Sequence, residues 1–201
     1  MDKLLKTALI SLIFNIIYGV YHIILGAITK SWWLLTVGVY YCILSAMRFV
    51  IIYTKKRVHI LSRFTGFMLI ALSVLLIGTV IFAVIRDRGQ KFHIIAMIAI
   101  ATYSFTKITL AIIKIIKSRH SHSAKTVALR SVSLADAFVS IFSMQRSMLV
   151  TFEGMTDAEI RLMNTLTGSG VCIIVLLLGL NLIIDKNVLF KNLRLTESKK
   201  N

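Results

Sequence analysis

The sequence predicts an all-α membrane protein, a bundle of six transmembrane helices with both termini in the cytoplasm. Three observations carry that reading. The chain is 57% hydrophobic and only 16% charged, with a mean hydropathy of +0.84, whereas soluble domains are nearer half apolar and a quarter charged. The apolar residues gather into runs of about 20, the length that crosses a hydrocarbon core of about 30 Å. The basic residues fall mostly on one side of those runs, which orients the chain.

The expected spans are residues 4–28, 32–53, 64–85, 92–116, 127–150 and 160–184. Residues 1–185 then form one transmembrane domain, and residues 186–201 a basic cytoplasmic tail. The first span follows Lys3 and Lys6 and is too long for a signal peptide's apolar region; it also lacks a convincing cleavage site, so it reads as a retained helix. Ser11, Asn15, Tyr18 and His22 recur along it at spacings of four, three and four, which sets them on one face. His22 reads as an interface residue near the outer end. After a short turn at Lys30 and Ser31, the second span opens with Trp32 and Trp33, residues suited to anchoring at the membrane interface. It carries a polar stripe of Tyr41, Ser45 and Arg48. The third span is the plainest, with Gly66, Ser73, Gly78 and Thr79 as sites of close helix approach. The fourth holds Tyr103, Thr106 and Lys107, and its basic exit loop holds Lys114, Lys117, Arg119, His120, His122 and Lys125. Two histidines without acidic or thiol neighbours read as solvated, so no metal site follows.

The fifth span is the most polar. Ser133, Asp136, Ser140, Ser143 and Ser147 recur every three or four residues, with Arg130 one turn earlier. Lipid cannot satisfy an aspartate, so this face must turn inward. Thr156 and Glu159 then fit a capping box that starts the sixth helix. Gly168, Gly170 and Gly179 suit tight packing there, and Asn181 is a candidate hydrogen-bonding group. The tail mixes Val188, Leu189, Phe190 and Leu193 with basic residues, which fits either a surface helix or a frayed end.

Charge fixes the expected orientation. Lys3, Lys6, Lys55, Lys56, Arg57, Arg63, Lys114, Lys117, Arg119, Lys125, Lys186, Lys191, Arg194, Lys199 and Lys200 flank the spans on the side of the termini. Lys30, Arg86, Arg88, Lys91 and Arg161 flank them on the other side. The net charge of +16 is therefore explained by orientation and by anionic lipid on the cytoplasmic face rather than by nucleic acid. Cys42 and Cys172 lie in separate apolar runs without ligand spacing, and read as inert thiols that can pair only if their helices touch. The chain has no proline, which favours unbroken helices over a broken-helix transporter.

With a rise of about 1.5 Å per residue, Asp136 and Lys107 both lie about 15 Å from the cytoplasmic end of their helices. Asn15 and Tyr41 fall near that level, and Arg48 about 8 Å shallower. The expected site is a midplane cluster of Asp136 and Lys107, surrounded by Asn15, Tyr41, Ser133 and Ser140, with Arg48 at its inner edge. Each charge alone costs about 2.5–3.5 kcal/mol in lipid, so pairing is the cheapest arrangement. Two readings of this cluster stand side by side. It is a transport site, with Asp136 taking a cation or proton and Lys107 its counter-charge, or it is a tie that holds the helices in register.

The pattern Ile-x-Ser-x-x-Arg occurs at Ile43–Arg48 and again at Ile141–Arg146, in the middle helix of each three-helix half. Such halves would insert with opposite orientation, as in inverted-repeat transporters. The run from Ser31 to Phe49, with its Trp32-Trp33, Tyr40-Tyr41 and Ser45-Ala46-Met47-Arg48-Phe49, resembles small six-span bacterial membrane proteins, as does Ser133–Leu149. That resemblance implies a bacterial inner membrane and no particular activity.

Three function classes compete. The first is a small transporter or channel for an ion or polar solute. The second is a non-transporting subunit, sensor or assembly factor that packs against another membrane protein or a second copy. An intramembrane enzyme is the third and weakest, because no nucleophile elbow or zinc-protease motif occurs, no span holds paired carboxylates and no cysteine–histidine pair has a useful spacing. No cofactor is implied.

Overall fold

The computed structural model describes residues 3–54, 58–85, 94–117, 124–152 and 154–184. They form six helices: α1 (Lys3–Thr29), α2 (Trp32–Tyr53), α3 (Val58–Ile85), α4 (Ile94–Lys117), α5 (Ala124–Thr151) and α6 (Asp157–Ile184). No strand occurs among the described residues. All six helices are long and apolar enough to cross a membrane. His120, His122, the turn at residues 86–91 and the tail at 186–201 lie outside the described residues.

The polarity of the bundle is inverted relative to a soluble protein. Ile17, Ile28 and Phe67 are exposed, while Arg48, Asp136, Asn15 and Lys107 are buried. Water would penalise that surface and lipid would not.

α5 is the central helix. It packs against α2, α3, α4 and α6, and 67% of its span is buried against 28% for α1 and for α4. Every member of its polar stripe from Ser133 to Ser147 is buried. Turned inward, its polar side chains meet groups on the neighbouring helices while apolar side chains are left on the outer surface. The two middle helices, α2 and α5, also meet directly.

The outer pairs are held by glycine. α1 lies on α2, where a Cβ at Gly38 would stand 2.8 Å from the Gly19 carbonyl oxygen. α3 lies on α6, where a Cβ at Gly66 would stand 2.8 Å from the Gly179 oxygen. Backbone meets backbone at both crossings, the packing that small residues permit in a membrane. Gly78 and Gly170, by contrast, face open space.

Helix ends differ from the apolar runs in places. α3 begins at Val58 rather than at residue 64. Nothing between Val58 and Arg63 breaks a helix, so the helix continues past the segment whose apolarity marks it. α6 starts as the capping box implies: Thr156 N–H donates to Glu159 Oε2 at 2.8 Å, and Glu159 N–H to Thr156 Oγ1 at 3.4 Å. The α1–α2 turn is a Schellman motif. Ser31 N–H donates to the Gly26 carbonyl at 3.0 Å, and Lys30 between them takes φ of 51°, the left-handed position usually held by glycine.

Three expectations about individual residues are revised. Trp32 is exposed but Trp33 is buried, edge-on to Phe142 with ring centroids 5.4 Å apart. His22 is buried rather than interfacial, with Nδ1 3.0 Å from the Tyr18 carbonyl and its ring against Tyr18. Asn181 is exposed on the outside of α6. In each case the helix face, set by packing, overrides the depth inferred from position along the span. Cys42 and Cys172 are free thiols.

Candidate functional site

Asp136 is the centre of a charge cluster built by four helices. It projects from α5 between α1, α2 and α4, and only 2% of it is exposed. Lys107 of α4 donates to Oδ1 at 2.6 Å. Arg48 of α2 donates through Nη2 to Oδ2, also at 2.6 Å. Asn15 of α1 donates to the same oxygen at 3.0 Å. Arg48 is therefore a direct partner of the carboxylate rather than a residue at the cluster's edge. Its long side chain closes the gap that the depth of its backbone leaves.

A second layer of bonds orients the first. Tyr103 donates to Asn15 Oδ1 at 3.2 Å, which fixes the amide with its nitrogen towards Asp136. Ser140 donates to the Asp136 carbonyl at 2.8 Å, so its oxygen is left to accept from Tyr41 at 3.0 Å. Ser104 donates to the Ser140 carbonyl at 3.2 Å. Arg48 Nη1 donates to Ser11 on α1.

Aromatic rings enclose the lysine. Lys107 Nζ lies 4.1 Å from the centroid of Tyr41, 4.5 Å from Tyr103 and 5.6 Å from Tyr18. Tyr18 and Tyr103 stack at 4.2 Å, and Tyr18 meets Tyr41 edge-on at 5.0 Å. The negative ring faces stabilise an ammonium by about 2 kcal/mol in a desolvated setting.

The expected residues are placed unequally. Lys107, Asn15 and Arg48 each donate to Asp136, and Tyr41 and Ser140 form the adjoining layer. Ser133 stands apart, one turn along α5, and accepts from Lys114 at 3.1 Å. Sequence reasoning missed four participants. Lys114 belongs to the buried interior rather than to the loop that follows α4. Tyr18 and Tyr103 form the collar, although their helical spacing from Asn15 and Lys107 pointed to it. Ser11, four residues before Asn15, was legible by the same spacing.

Further along α5, Arg146 is buried with its guanidinium carbon 4.5 Å over the Trp33 ring. Ser143 Oγ, Tyr40 Oη and Asn164 Oδ1 are buried in the same half and have no protein partner among the described residues. Lys125, at the opposite end, donates to the Ile52 carbonyl at 2.6 Å and ties α5 to the end of α2.

Comparison with protein-family models, with curated proteins and with solved structures returned no match.

Proposed function

We propose that the chain is a small multi-pass transporter or channel for an ion or small polar solute, with the Asp136 cluster as its site. One observation carries the reading: a fully buried carboxylate collects charged and polar partners from α1, α2 and α4, in a bundle whose outer surface is apolar. Intramembrane ionisable residues are expensive and mark ion or substrate pathways. The buried serines of α5 and the unpartnered Ser143, Tyr40 and Asn164 groups extend polar lining beyond the cluster, and such groups suit water. The reading places both termini in the cytoplasm, in a bacterial inner membrane, with anionic lipid at the basic face.

The test is flux in proteoliposomes, read by planar-bilayer conductance and by uptake of labelled sodium, rubidium, acetate and inorganic phosphate. Lys107→Gln and Tyr41→Phe keep the Asp136–Arg48 pair, and the reading expects both to reduce flux at least tenfold in folded protein. Absence of any flux from the wild type, or flux indifferent to both variants, would refute it.

A second reading has its own support. Both oxygens of Asp136 already accept hydrogen bonds, three in all, as a tie between helices would require. A non-transporting subunit or assembly factor would then co-purify with a stoichiometric membrane partner and show no flux alone.

A further inference from the structure

We infer that the groove between α3 and α6 holds one zwitterionic phospholipid with a primary amine, of the phosphatidylethanolamine type. Its acyl chain lies in the groove, its phosphate meets Arg161 and its ammonium meets Asp157. The inference rests on the six apolar helices lying in a bilayer and is independent of transport.

The groove comes first. α3 and α6 touch where Val80 packs against Gly168; a Cβ at that glycine would stand 2.7 Å from the valine. Beside this contact opens a groove of about 430 Å³, lined also by Ile77, Ile81, Thr165, Ser169, Cys172 and Ile173. That volume falls in the range of ligand pockets, about 300–1,000 Å³. No charged residue lines it, and Ile77, Ile81 and Ile173 are exposed at its mouth. Thr165 Oγ1 spends its proton on the Arg161 carbonyl at 2.8 Å, so that hydroxyl has no donor left for a polar solute. Walls of this kind favour hydrocarbon.

The order of charge comes second. Asp157, Arg161, Thr165 and Ser169 succeed one another at steps of four along α6, and all four are exposed. Steps of four keep neighbours on one side of a helix, about 6 Å apart along its axis. From the groove towards the start of α6, this side reads apolar, then positive, then negative. A phospholipid with an ethanolamine headgroup is built in the complementary order: acyl chains, phosphate, ammonium. A guanidinium matches phosphate through paired N–H donors. A carboxylate accepts from the N–H groups of a primary ammonium, which choline lacks. Neither Asp157 nor Arg161 forms an ion pair with another described residue. Glu159, the other acid in this turn, is engaged by the cap, where its Oε2 accepts from the N–H and the hydroxyl of Thr156, both at 2.8 Å. Asp157 is the carboxylate left to face a headgroup. A lipid with a glycerol headgroup would satisfy Arg161 and leave Asp157 without a partner.

The test is native mass spectrometry of the full chain in detergent, offered phosphatidylethanolamine, phosphatidylcholine and phosphatidylglycerol of equal chain length at equal concentration. One phosphatidylethanolamine per chain should be retained about tenfold over either of the others. Asp157→Asn should bring it down to the level of phosphatidylcholine, and Arg161→Gln should lower all three lipids. Ser169→Leu, which fills the groove without touching a charge, should also lower all three. Asp157→Arg should move the preference to phosphatidylglycerol, a gain that loss of folding could not produce. All four positions changed or probed are exposed, and an unchanged unfolding midpoint confirms that each variant is folded. Equal retention of the three lipids by the wild type, a wild-type preference for phosphatidylglycerol, or retention untouched by Arg161→Gln and Ser169→Leu overturns the inference. So does a lipid-free dimer, which would put a second copy of the chain on the groove. Flux measurements keep the two proposals separate, since selective lipid retention in a chain without flux retires the transport reading alone.

Discussion

Replacing Asp136 with asparagine tests the unequal pairing at the centre of the bundle. The carboxylate serves two cations, each 2.6 Å away. Asparagine keeps the shape and an acceptor oxygen but strands both cations. Breaking a buried pair from one side costs about 3–5 kcal/mol. A lysine or arginine left alone in a span costs about 2.5–3.5 kcal/mol on the insertion scale. The tyrosine collar returns about 1–2 kcal/mol at Lys107. A loss of about 4 kcal/mol follows for Asp136→Asn, or a fall of about 10 °C in unfolding midpoint for a chain of this length. Lys107→Met gives the opposite case. It leaves Asp136 and Arg48 as a one-to-one pair and should cost only about 1 kcal/mol, the loss of one charged hydrogen bond partly offset by an apolar side chain. The double variant should fall between the two, because only Arg48 is then stranded. Thermal unfolding of all four proteins in one detergent decides the matter. An Asp136→Asn variant as stable as the wild type, or a Lys107→Met variant as damaged as Asp136→Asn, would refute the reasoning.

Three further predictions rest on other parts of the molecule. Lys30→Gly should stabilise the chain by about 1 kcal/mol, because Lys30 holds φ of 51° at the end of α1 and glycine enters that region without steric cost; the unfolding midpoint reports it. Gly66→Ala drives a methyl to 2.8 Å from the Gly179 oxygen and should cost about 1–3 kcal/mol. Gly78→Ala meets nothing within 4 Å and should be neutral or gain up to about 1 kcal/mol from helix propensity; equal effects would remove the α3–α6 crossing from the account. Ser143→Cys, in a background with Cys42 and Cys172 replaced by alanine, should react with a membrane-impermeant thiol reagent at least tenfold faster than Ala135→Cys, a buried α5 position on the apolar core. Equal rates would mean that the polar lining of α5 is dry.

The sequence by itself determined the helical class, six helices long and apolar enough to cross a membrane, and the identity of the central helix. Apolar runs of bilayer length dictate helices, since no other local structure satisfies the backbone in lipid. The polar stripe of α5 marks an inward face because its period matches the helix and lipid rejects its side chains. Depth arithmetic brought Asp136, Lys107, Asn15 and Tyr41 to one level, because rise per residue is a local property. What it could not reach is the direction in which each helix turns and how far a side chain extends. Backbone depth set Arg48 at an edge, while the folded bundle brings its guanidinium onto Asp136. Lys114 falls in a basic stretch that reads as a loop, yet α4 continues through it and turns it inward. Tyr18 and Tyr103 close around Lys107 only because α1 and α4 approach the same side of α5. Period and hydropathy are properties of single helices. Which cations share the one carboxylate, and in what excess, is a property of four helices together, and only their packing decides it.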